Sequence, residues 1–361
     1  MNNKRKICMI VQNPMVKGGI AAVVNGYRNS SLEKDYDIVY VESYKDGNKI
    51  SKLLKALSGY AHFCKVLLID KPDIIHIHSS FGPSFYRKTP FIYLSKLAKK
   101  PVINHCHGAD FDDFYSTASQ RKKKLIKRVY DHCSTIIALS EEWKQKLSVV
   151  VSKEKIVVIE NYSIIHKQHL QERLERKSNN QILFLGEIGY RKGSYDIPGI
   201  VEELVQRIPN FKFVIAGDGQ IREIQKLIKE KNVDKYVTFP GWIRGKEKDS
   251  LLRESDVFIL PSYNEGMPMA ILDAMGYGLP IISTEVGGIP KIVMDNVNGY
   301  LCEPGDIQSF TEGIYQILHN DSQRIEMSQG SVKIVEENYS LDLHLSKLKA
   351  IYEVYLNLNN D

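Results

Sequence analysis

The residues best suited to chemistry lie in one window, 256–278, which reads DVFILPSYNEGMPMAILDAMGYG. An apolar run predicts a buried strand that ends at Pro261, and Pro268 is typical of the first position of a following helix. Backbone N–H groups at such a helix start attract anions. Glu265 precedes the helix and Asp273 lies about two turns along it. We interpret the window as a site for a phosphorylated ligand rich in hydroxyl groups; the alternative is two ordinary surface carboxylates.

Two glycine-rich turns follow predicted strands. The turn GEIGYRKG (186–193) carries Arg191 and Lys192, cations that would stabilise negative charge on a departing group. The turn KGGIAAVV (17–24) has two glycines that allow a ligand to approach the backbone, and a helix start that could face phosphate. Neither turn has the G-x-G-x-x-G or GK[ST] pattern. The alternatives are solvated cations on a turn and a plain strand–helix connection.

Buried strands alternating with helical stretches must position these residues. The predicted strands of the first half are Ile7–Val11, Ile38–Val41, Ile74–Ile77, Val102–Asn104, Ile136–Leu139 and Ile156–Ile159. Those of the second half are Gln181–Leu185, Lys212–Ala216, Val237–Phe239, Val257–Leu260 and Pro280–Ser283. Helical stretches between the early strands are 49–69, 85–99 and 117–132. Two such series predict two doubly wound α/β domains, each with its ligands at the carboxyl ends of parallel strands.

The expected domain boundaries follow from this division. Residues 1–165 form the predicted first domain and 166–340 the second, and the charged stretch His166–Asn180 is interpreted as the linker. The segment 341–361 contains a helical pattern and is expected to pack back on the first domain.

Composition limits the class of protein. A length of 361 residues fits about two domains, and 43% hydrophobic with 25% charged residues excludes disorder, collagen-like repeats and small disulfide scaffolds. No apolar run approaches the ~18 residues that span a bilayer, and Asn13-Pro14 ends the first apolar stretch too early for a signal peptide. Five cysteines without metal-type spacing fit a reducing compartment. We expect a cytoplasmic protein.

Charge is distributed unevenly along the chain. Residues 1–180 hold 31 Lys and Arg against 17 Asp and Glu, whereas residues 181–361 hold 18 against 26. The densest basic run, in 120–132, alternates with apolar residues in a pattern typical of a helix lying on an acidic membrane surface. The alternative is a surface helix with a solvated basic face. No helix-turn-helix, zinc or RNP pattern accompanies the charge, so nucleic acid is not the expected partner.

The window around Glu265 resembles the E-x7-E signature of family 4 retaining glycosyltransferases, which have the GT-B architecture of two Rossmann-like domains. Further segments match that family in order along nearly the whole chain: KGGIAAVV (17–24), DIIHIHSS (73–80), HCHGAD (105–110), GEIGYRKG (186–193), IAGDG (215–219), FPGWI (239–243) and the stretch 283–306. On these motifs the chain is identified as a member.

The resemblance implies a role for each matching residue. Lys192 would bind the donor diphosphate, and Arg191 would replace the family arginine at the position where this chain has Glu187. FPGWI and the loop VGGIP would line the base and ribose, with Trp242 either stacking on the base or packing. The implied catalytic residues are His107, Lys192 and Glu265; the implied donor-binding residues are Gly19, Arg191, Lys192, Glu265, Gly266, Met267 and Asp273.

HCHGAD also offers two metal-binding interpretations. His105-Cys106-His107 has ligand types, but alternating side chains are expected to point apart, and no fourth ligand is evident. The triplet Asp110-Phe111-Asp112 has the D-x-D form that binds metal in the other glycosyltransferase fold, GT-A, which the two-domain pattern opposes. We therefore expect no metal and no cofactor. The family interpretation has His107 facing the transferred sugar; the alternative is a structural loop histidine.

The sequence as a whole predicts a retaining enzyme that moves a hexosyl unit from a nucleotide sugar to a glycan or lipid-linked glycan, as in bacterial capsular, exopolysaccharide or O-antigen synthesis. The basic first half adds the hypothesis of peripheral contact with an anionic membrane at the inner face of the cell membrane. Alternatives are a GT-B-fold nucleotide-sugar epimerase, a GT-B phosphorylase and a non-catalytic partner subunit.

Overall fold

Two α/β units make up the chain in a computed structural model, which describes residues 4–108 and 110–357. Unit 1 comprises 1–161 together with 341–361, and unit 2 comprises 162–340. The domain boundary predicted from the sequence, after residue 165, lies four residues beyond the boundary in the structure, after residue 161. Ala109 of the HCHGAD motif and residues 358–361 of the expected last segment lie outside the described residues.

Unit 1 has a six-stranded parallel sheet in the order β2-β1-β3-β4-β5-β6. Its strands are β1 (Lys6–Val11), β2 (Asp37–Glu42), β3 (Ile74–Ser79), β4 (Val102–Cys106), β5 (Thr135–Ala138) and β6 (Ile156–Val158). Its helices up to this point in the chain are α1 (Gly19–Tyr27), α2 (Ser31–Asp35), α3 (Lys49–Lys65), α4 (Pro83–Leu97), α5 (Phe111–Ser116), α6 (Gln120–Asp131) and α7 (Glu141–Leu147). The central strands β3 and β4 are buried along their whole length because helices cover both faces of a parallel sheet.

Unit 2 repeats the plan, with a parallel sheet in the order β12-β11-β10-β7-β8-β9. Its strands are β7 (Gln181–Leu185), β8 (Lys212–Ala216), β9 (Val237–Gly241), β10 (Val257–Leu260), β11 (Ile281–Thr284) and β12 (Gly299–Cys302). Its helices are α8 (Lys167–Glu175), α9 (Ile197–Arg207), α10 (Ile221–Glu230), α11 (Lys246–Glu254), α12 (Met269–Gly276), α13 (Ile307–His319) and α14 (Asp321–Ile334). The predicted fold class is confirmed. Sequence reasoning missed β12, an edge strand whose short sequence GYLC is only partly buried.

The last helix, α15 (Leu341–Asn357), belongs to unit 1 and covers one face of its sheet. Leu345 and Leu348 are buried there. The Tyr352 hydroxyl lies 2.6 Å from His76 Nδ1 on β3, and His344 Nε2 lies 2.7 Å from the Tyr27 hydroxyl on α1. An element distant in sequence therefore completes the core of the first unit.

The stretch 166–180 is not a linker, which corrects the prediction. Nine of its residues form helix α8, which packs on unit 2. Arg173 is 1% exposed, and its guanidinium donates to the carbonyls of Leu252 and Tyr277 at 2.7 and 3.0 Å. The many charged residues of this stretch suggested a solvated linker, but one of them, Arg173, donates hydrogen bonds to buried backbone carbonyls.

The basic segment 120–132 forms helix α6, but its apolar stripe is core and not a free face. Ile126, Val129 and Tyr130 are at most 1% exposed. The Lys122 ammonium lies 4.6 Å from the centre of the Phe114 ring. The apolar stripe that the sequence assigns to a membrane surface therefore packs in the core of unit 1. No helix within 4–108 or 110–357 is long and apolar enough to cross a bilayer.

Five histidines are buried on one face of the unit 1 sheet: His76, His78, His105, His107 and His344. Burial lowers the pKa of His76 and His107 to about 3 and that of His344 to about 4. These groups are therefore neutral in the folded chain at pH 7, whereas in the unfolded chain each titrates near 6.5.

Acid should destabilise unit 1. As the pH falls below 6.5 the unfolded chain binds protons that the buried histidines do not take up until about pH 4. Each such histidine thus removes ~1.4 kcal/mol of unfolding free energy per pH unit in that window. We expect the urea midpoint to fall between pH 7 and pH 5. The variant His105→Leu, which removes a ring with both nitrogens unpartnered, should reduce this dependence, whereas His62→Leu at an exposed position should not. An acid dependence identical in both variants would contradict the assignment.

Candidate functional site

Lys192 and Glu265 meet at the carboxyl edge of the unit 2 sheet. Strand β7 leads into the turn that carries Lys192, and its neighbour β10 leads into the loop that carries Glu265. Parallel neighbours end at the same edge, so residues 73 positions apart form an ion pair between Lys192 Nζ and Glu265 Oε1. The Ser262 hydroxyl donates to the same oxygen at 2.8 Å.

This ion pair is largely shielded from water. The Glu265 residue is 6% exposed and the Lys192 side chain 13%. Burial lowers the pKa of Lys192 below its ordinary value of 10.5, and the Glu265 carboxylate opposes that shift. Low local polarity strengthens any interaction of the two charges with a ligand.

Arg191 also belongs to this cluster. Its Nη1 donates to the Asn264 carbonyl at 3.2 Å and lies 3.8 Å from Glu265 Oε1. Its Nη2 is 3.4 Å from Glu187 Oε2. The guanidinium thus lies between the carboxylate at the atypical position 187 and the signature carboxylate.

A pocket of about 190 Å³ opens beside the two cations. It lies between the loops that follow β7 and β8, and its lining residues are Glu187, Ile188, Gly189, Tyr190, Arg191, Lys192, Gly219 and Gln220. The backbone N–H groups of Ile188, Gly189, Lys192 and Gln220 already donate within the protein. The two cations are therefore the feature that suits this pocket to an anionic group.

Helix α12 begins beside Glu265. Pro268 occupies the N-cap, one position before the helical residue predicted for it, and no side chain caps the helix. Met267 is 4% exposed, and the Gly266 carbonyl accepts a 2.7 Å hydrogen bond from Gly288 N–H. The loop before α12 is thus fixed by the loop after β11.

The loop VGGIP has a packing role. At Gly287, where φ is +55°, a Cβ atom would lie 1.8 Å from the Glu265 carbonyl oxygen; at Gly288 it would lie 2.3 Å from the Gly266 carbonyl oxygen. These two glycines allow the backbone to touch the segment that orients Glu265.

Asp273 belongs to a separate hydrogen-bond network. Its carboxylate pairs with Lys248 on α11. Trp242 follows β9 at the same sheet edge and is 37% exposed, with the Arg244 guanidinium 5.4 Å from its ring centre. Neither residue contacts the Lys192–Glu265 pair through a described hydrogen bond or ion pair.

The unit 1 candidates lie at the carboxyl edge of their own sheet. Gly18, with φ of +121°, is the N-cap of α1, so Gly19 is its first residue, and no side chain caps that helix. His107 follows β4, is 5% exposed, and its Nε2 lies 3.0 Å from His78 Nδ1. His107 is therefore a neutral, oriented imidazole.

The structure places the residues of the two metal-type motifs in different surroundings. His105 and His107 do not point apart, because residues two apart on a strand share a face; their ring centres lie 4.2 Å apart. Nitrogens of His76, His78 and His105 lie within 4.8 Å of one another, the one group of metal-ligating type found among the described residues. In the D-x-D triplet, Asp112 is paired with Lys146 at 3.0 Å.

Sequence reasoning missed four residues that contribute to the site. Ser262 was overlooked although it directly follows the loop proline that ends β10, and Lys248 carries no motif at all. Tyr190 and Tyr263 stack with ring centres 4.9 Å apart, beside the pocket. Only the position of Ser262 at a strand end offered a signal.

The contact at Gly287 gives a stability prediction. Gly287→Ala should lower the free energy of unfolding by about 1–3 kcal/mol more than Gly245→Ala, because its methyl group overpacks against the Glu265 backbone. Gly245 is a matched control, since its φ is +53° and nothing lies within 4 Å of its Cβ position. Chemical denaturation measures both variants, and equal losses would show that the close contact is unimportant.

Family models match both halves of the chain. Residues 166–333 match "Glycosyl transferases group 1" and residues 21–162 match "Glycosyltransferase Family 4". A relative from Escherichia coli, a UDP-Gal:alpha-D-GlcNAc-diphosphoundecaprenol alpha-1,3-galactosyltransferase, is 28% identical and covers 83% of this chain and 80% of its own length.

Solved structures share the fold. Sucrose-phosphate synthase from Thermosynechococcus elongatus aligns with a TM-score of 0.80 and 17% identity, over 98% of this chain and 100% of its own. Anabaena HepE in complex with UDP and glucose aligns with a TM-score of 0.71 and 17% identity, over 97% and 99%. The two family models together span most of the sequence and identify the chain as a glycosyltransferase, and the solved structures show that its fold is GT-B.

Proposed function

We propose that this glycosyltransferase moves a hexosyl unit, with retention of anomeric configuration, from a nucleotide sugar to a lipid-linked glycan in bacterial polysaccharide synthesis. The observation that carries the proposal is the buried Lys192–Glu265 pair beside a pocket that Arg191 and Lys192 line. A cation and a hydroxyl-accepting carboxylate are the two groups that a sugar diphosphate requires.

The donor diphosphate would occupy the pocket next to Arg191 and Lys192. The bond that breaks joins the anomeric carbon to a diphosphate oxygen, and negative charge grows on that oxygen as it leaves. Lys192 is fixed in position by Glu265 before any ligand arrives, so its charge needs little reorganisation during the reaction. Gly266, Met267 and the start of α12, which no side chain caps, would contribute backbone amides to the donor.

Glu265 would hold the transferred sugar through its hydroxyl groups, and Asp273 the ribose. The Glu265 carboxylate is already paired with a cation and accepts from Ser262, so its poor nucleophilicity favours direct transfer over a covalent intermediate. The acceptor hydroxyl would attack from the face that the diphosphate leaves, and its proton would pass to the departing phosphate oxygen.

The unit 1 residues would serve the acceptor side. The uncapped start of α1 at Gly19 offers amides to an anion, and His107 offers an oriented, uncharged imidazole to a sugar hydroxyl. The E. coli relative uses a diphosphoundecaprenol acceptor by its name, and the Anabaena structure binds UDP and glucose. A UDP-sugar and a polyprenyl-linked acceptor are therefore the first substrates to test, and a cytoplasmic enzyme at the inner membrane face is the matching location.

We also propose that no metal ion is required. Arg191 and Lys192 supply the positive charge that a metal would otherwise bring to the diphosphate, while Glu265 and Asp273 are each engaged by a lysine. Activity should therefore persist in EDTA.

Substrate identity can be tested directly. A panel of UDP-, GDP-, ADP- and TDP-sugars should contain one donor that raises the melting temperature, because a ligand of the folded state stabilises it by mass action. With that donor and a polyprenyl-diphosphate glycan, NMR should show a new linkage with the anomeric configuration of the donor. An inverted linkage would refute retention, and an epimerised sugar formed from donor alone would identify an epimerase.

The ion pair can be tested with a matched control. Lys192→Met should lower kcat by about 100- to 1000-fold, because it removes charge stabilisation of the leaving group. Lys226→Met, in the exposed Lys226–Glu230 pair of α10, should stay within about twofold of the unaltered protein.

Breaking a buried pair also destabilises a fold, by about 3–5 kcal/mol. The double variant Lys192→Met with Glu265→Gln removes both charges at nearly constant volume, and it should recover stability without recovering activity. Near-normal turnover in any folded Lys192 variant would refute the assigned role.

The pH profile gives a further prediction. Because burial lowers the pKa of Lys192, the ammonium should lose its proton below pH 10.5, and kcat/KM should fall on the alkaline side with it. Lys192→Arg keeps the positive charge at high pH. In this variant the alkaline fall of kcat/KM should shift to higher pH, even if the overall rate is lower. An unchanged alkaline limb in that variant would show that another group titrates.

A further inference from the structure

Helix α3 of unit 1 has two apolar faces. Its inward face is formed by buried Ala56, Gly59 and Phe63. On the other side of the helix, Ile50 is 70% exposed and Leu57 is 52% exposed. A helix of a globular protein normally needs only the inward stripe, so the second one requires a separate explanation.

The outward stripe is regular. It begins with Ile50, Leu53, Leu54 and Leu57, spaced at i, i+3, i+4 and i+7, and all four are more than half exposed. At 100° per residue they span an arc of about 100°. Further exposed apolar residues follow toward and beyond the end of the helix: Ala61, Cys64, Leu68 and Ile69. Contiguous apolar exposure of this kind marks an interaction surface.

The charge of the helix selects the partner. Residues 49–65 contain four lysines and no carboxylate: Lys49, Lys52, Lys55 and Lys65. The surrounding half of the chain has the same sign, with 31 basic against 17 acidic residues over 1–180. A second copy would bring these lysines against each other. At 100° per residue Lys49 and Lys65 flank the outward stripe, whereas Lys52 and Lys55 lie on the other side of the helix, where Lys55 pairs with Glu42. An apolar stripe flanked by two lysines, in a basic half of the chain, matches the boundary between acyl chains and anionic headgroups.

We propose that the outward stripe of α3 docks the protein on an anionic lipid bilayer, with the leucines inserted among the acyl chains and the lysines at the headgroups. This deepens the proposed function and rests on it for its purpose, since a lipid-linked acceptor resides in such a bilayer.

The stripe begins at the edge of the sheet that carries the unit 1 candidate residues. Helix α3 follows β2, and the Lys17 N–H donates to Asp46 in the β2–α3 loop at 3.3 Å. The glycine turn before α1 and the first turn of α3 are therefore neighbours. A bilayer under α3 would bring a polyprenyl diphosphate to the side of unit 1 where Gly19 emerges.

The test is flotation of the full chain with vesicles of phosphatidylglycerol and phosphatidylethanolamine, compared with phosphatidylcholine alone. The unaltered protein should float with the anionic vesicles and be released by high salt, because screening weakens the lysine contribution. Leu53→Glu with Leu57→Glu should reduce the bound fraction at least tenfold.

The matched control is Val149→Glu with Val354→Glu. These valines are also exposed, at 63% and 57%, and lie on other elements of unit 1. The control adds the same charge and should bind the vesicles like the unaltered protein. Equal loss in both double variants, or no binding by the unaltered protein, would overturn the proposal. A concentration-dependent dimer that only Leu53→Glu with Leu57→Glu abolishes would overturn it in favour of self-association.

A second measurement, of glycosyl transfer, tests the enzymatic proposal independently of membrane binding. Transfer to a short-chain acceptor in detergent should be unaffected by Leu53→Glu with Leu57→Glu, because α3 holds none of the proposed catalytic groups. Vesicle binding without any glycosyl transfer would refute the proposed enzymatic function and support the lipid-binding surface. Glycosyl transfer without vesicle binding would support the enzymatic function and refute the lipid-binding surface.

Discussion

The arrangement of unit 2 depends on one buried electrostatic contact, between an ammonium at the end of one strand and a carboxylate at the end of the next. Neither charge is stable alone in a site so poor in water. The strand order brings the two charged residues together, because β7 and β10 are parallel neighbours although they are distant in sequence. Ser262, the Gly287–Gly288 loop and Arg191 then fix the atoms around that contact. The site is thus preorganised by the topology of the sheet.

Much of this could be predicted from the sequence. Apolar runs bounded by glycine and proline located eleven of the twelve strands, since buried parallel strands leave a simple compositional signal. Two motifs that each end a strand assigned Lys192 and Glu265 to one donor site, but the sequence did not predict the ion pair between them. Lys248 could not be found, because its partnership with Asp273 depends on where α11 packs, and a lysine on a charged helix carries no signal of its own.

Amphipathic patterns were the least reliable guide. Helix α6 and helix α3 both combine lysines with an apolar stripe, yet α6 turns its stripe inward and α3 keeps a second one outside. The periodicity of apolar residues shows that a helix has an apolar stripe, but it does not show what packs against that stripe. The distinguishing feature of α3 is that small or aromatic residues, Ala56, Gly59 and Phe63, already supply its inward face.

The discontinuity of unit 1 has a consequence for biosynthesis. Its sheet is made early by the ribosome, but the helix that covers the histidine-rich face is made after all of unit 2. Unit 2 is continuous in sequence and can collapse while translation proceeds. Until α15 is synthesised the first unit lacks the partners of His76 and Tyr27, so its core is completed only after the whole of unit 2 has been made.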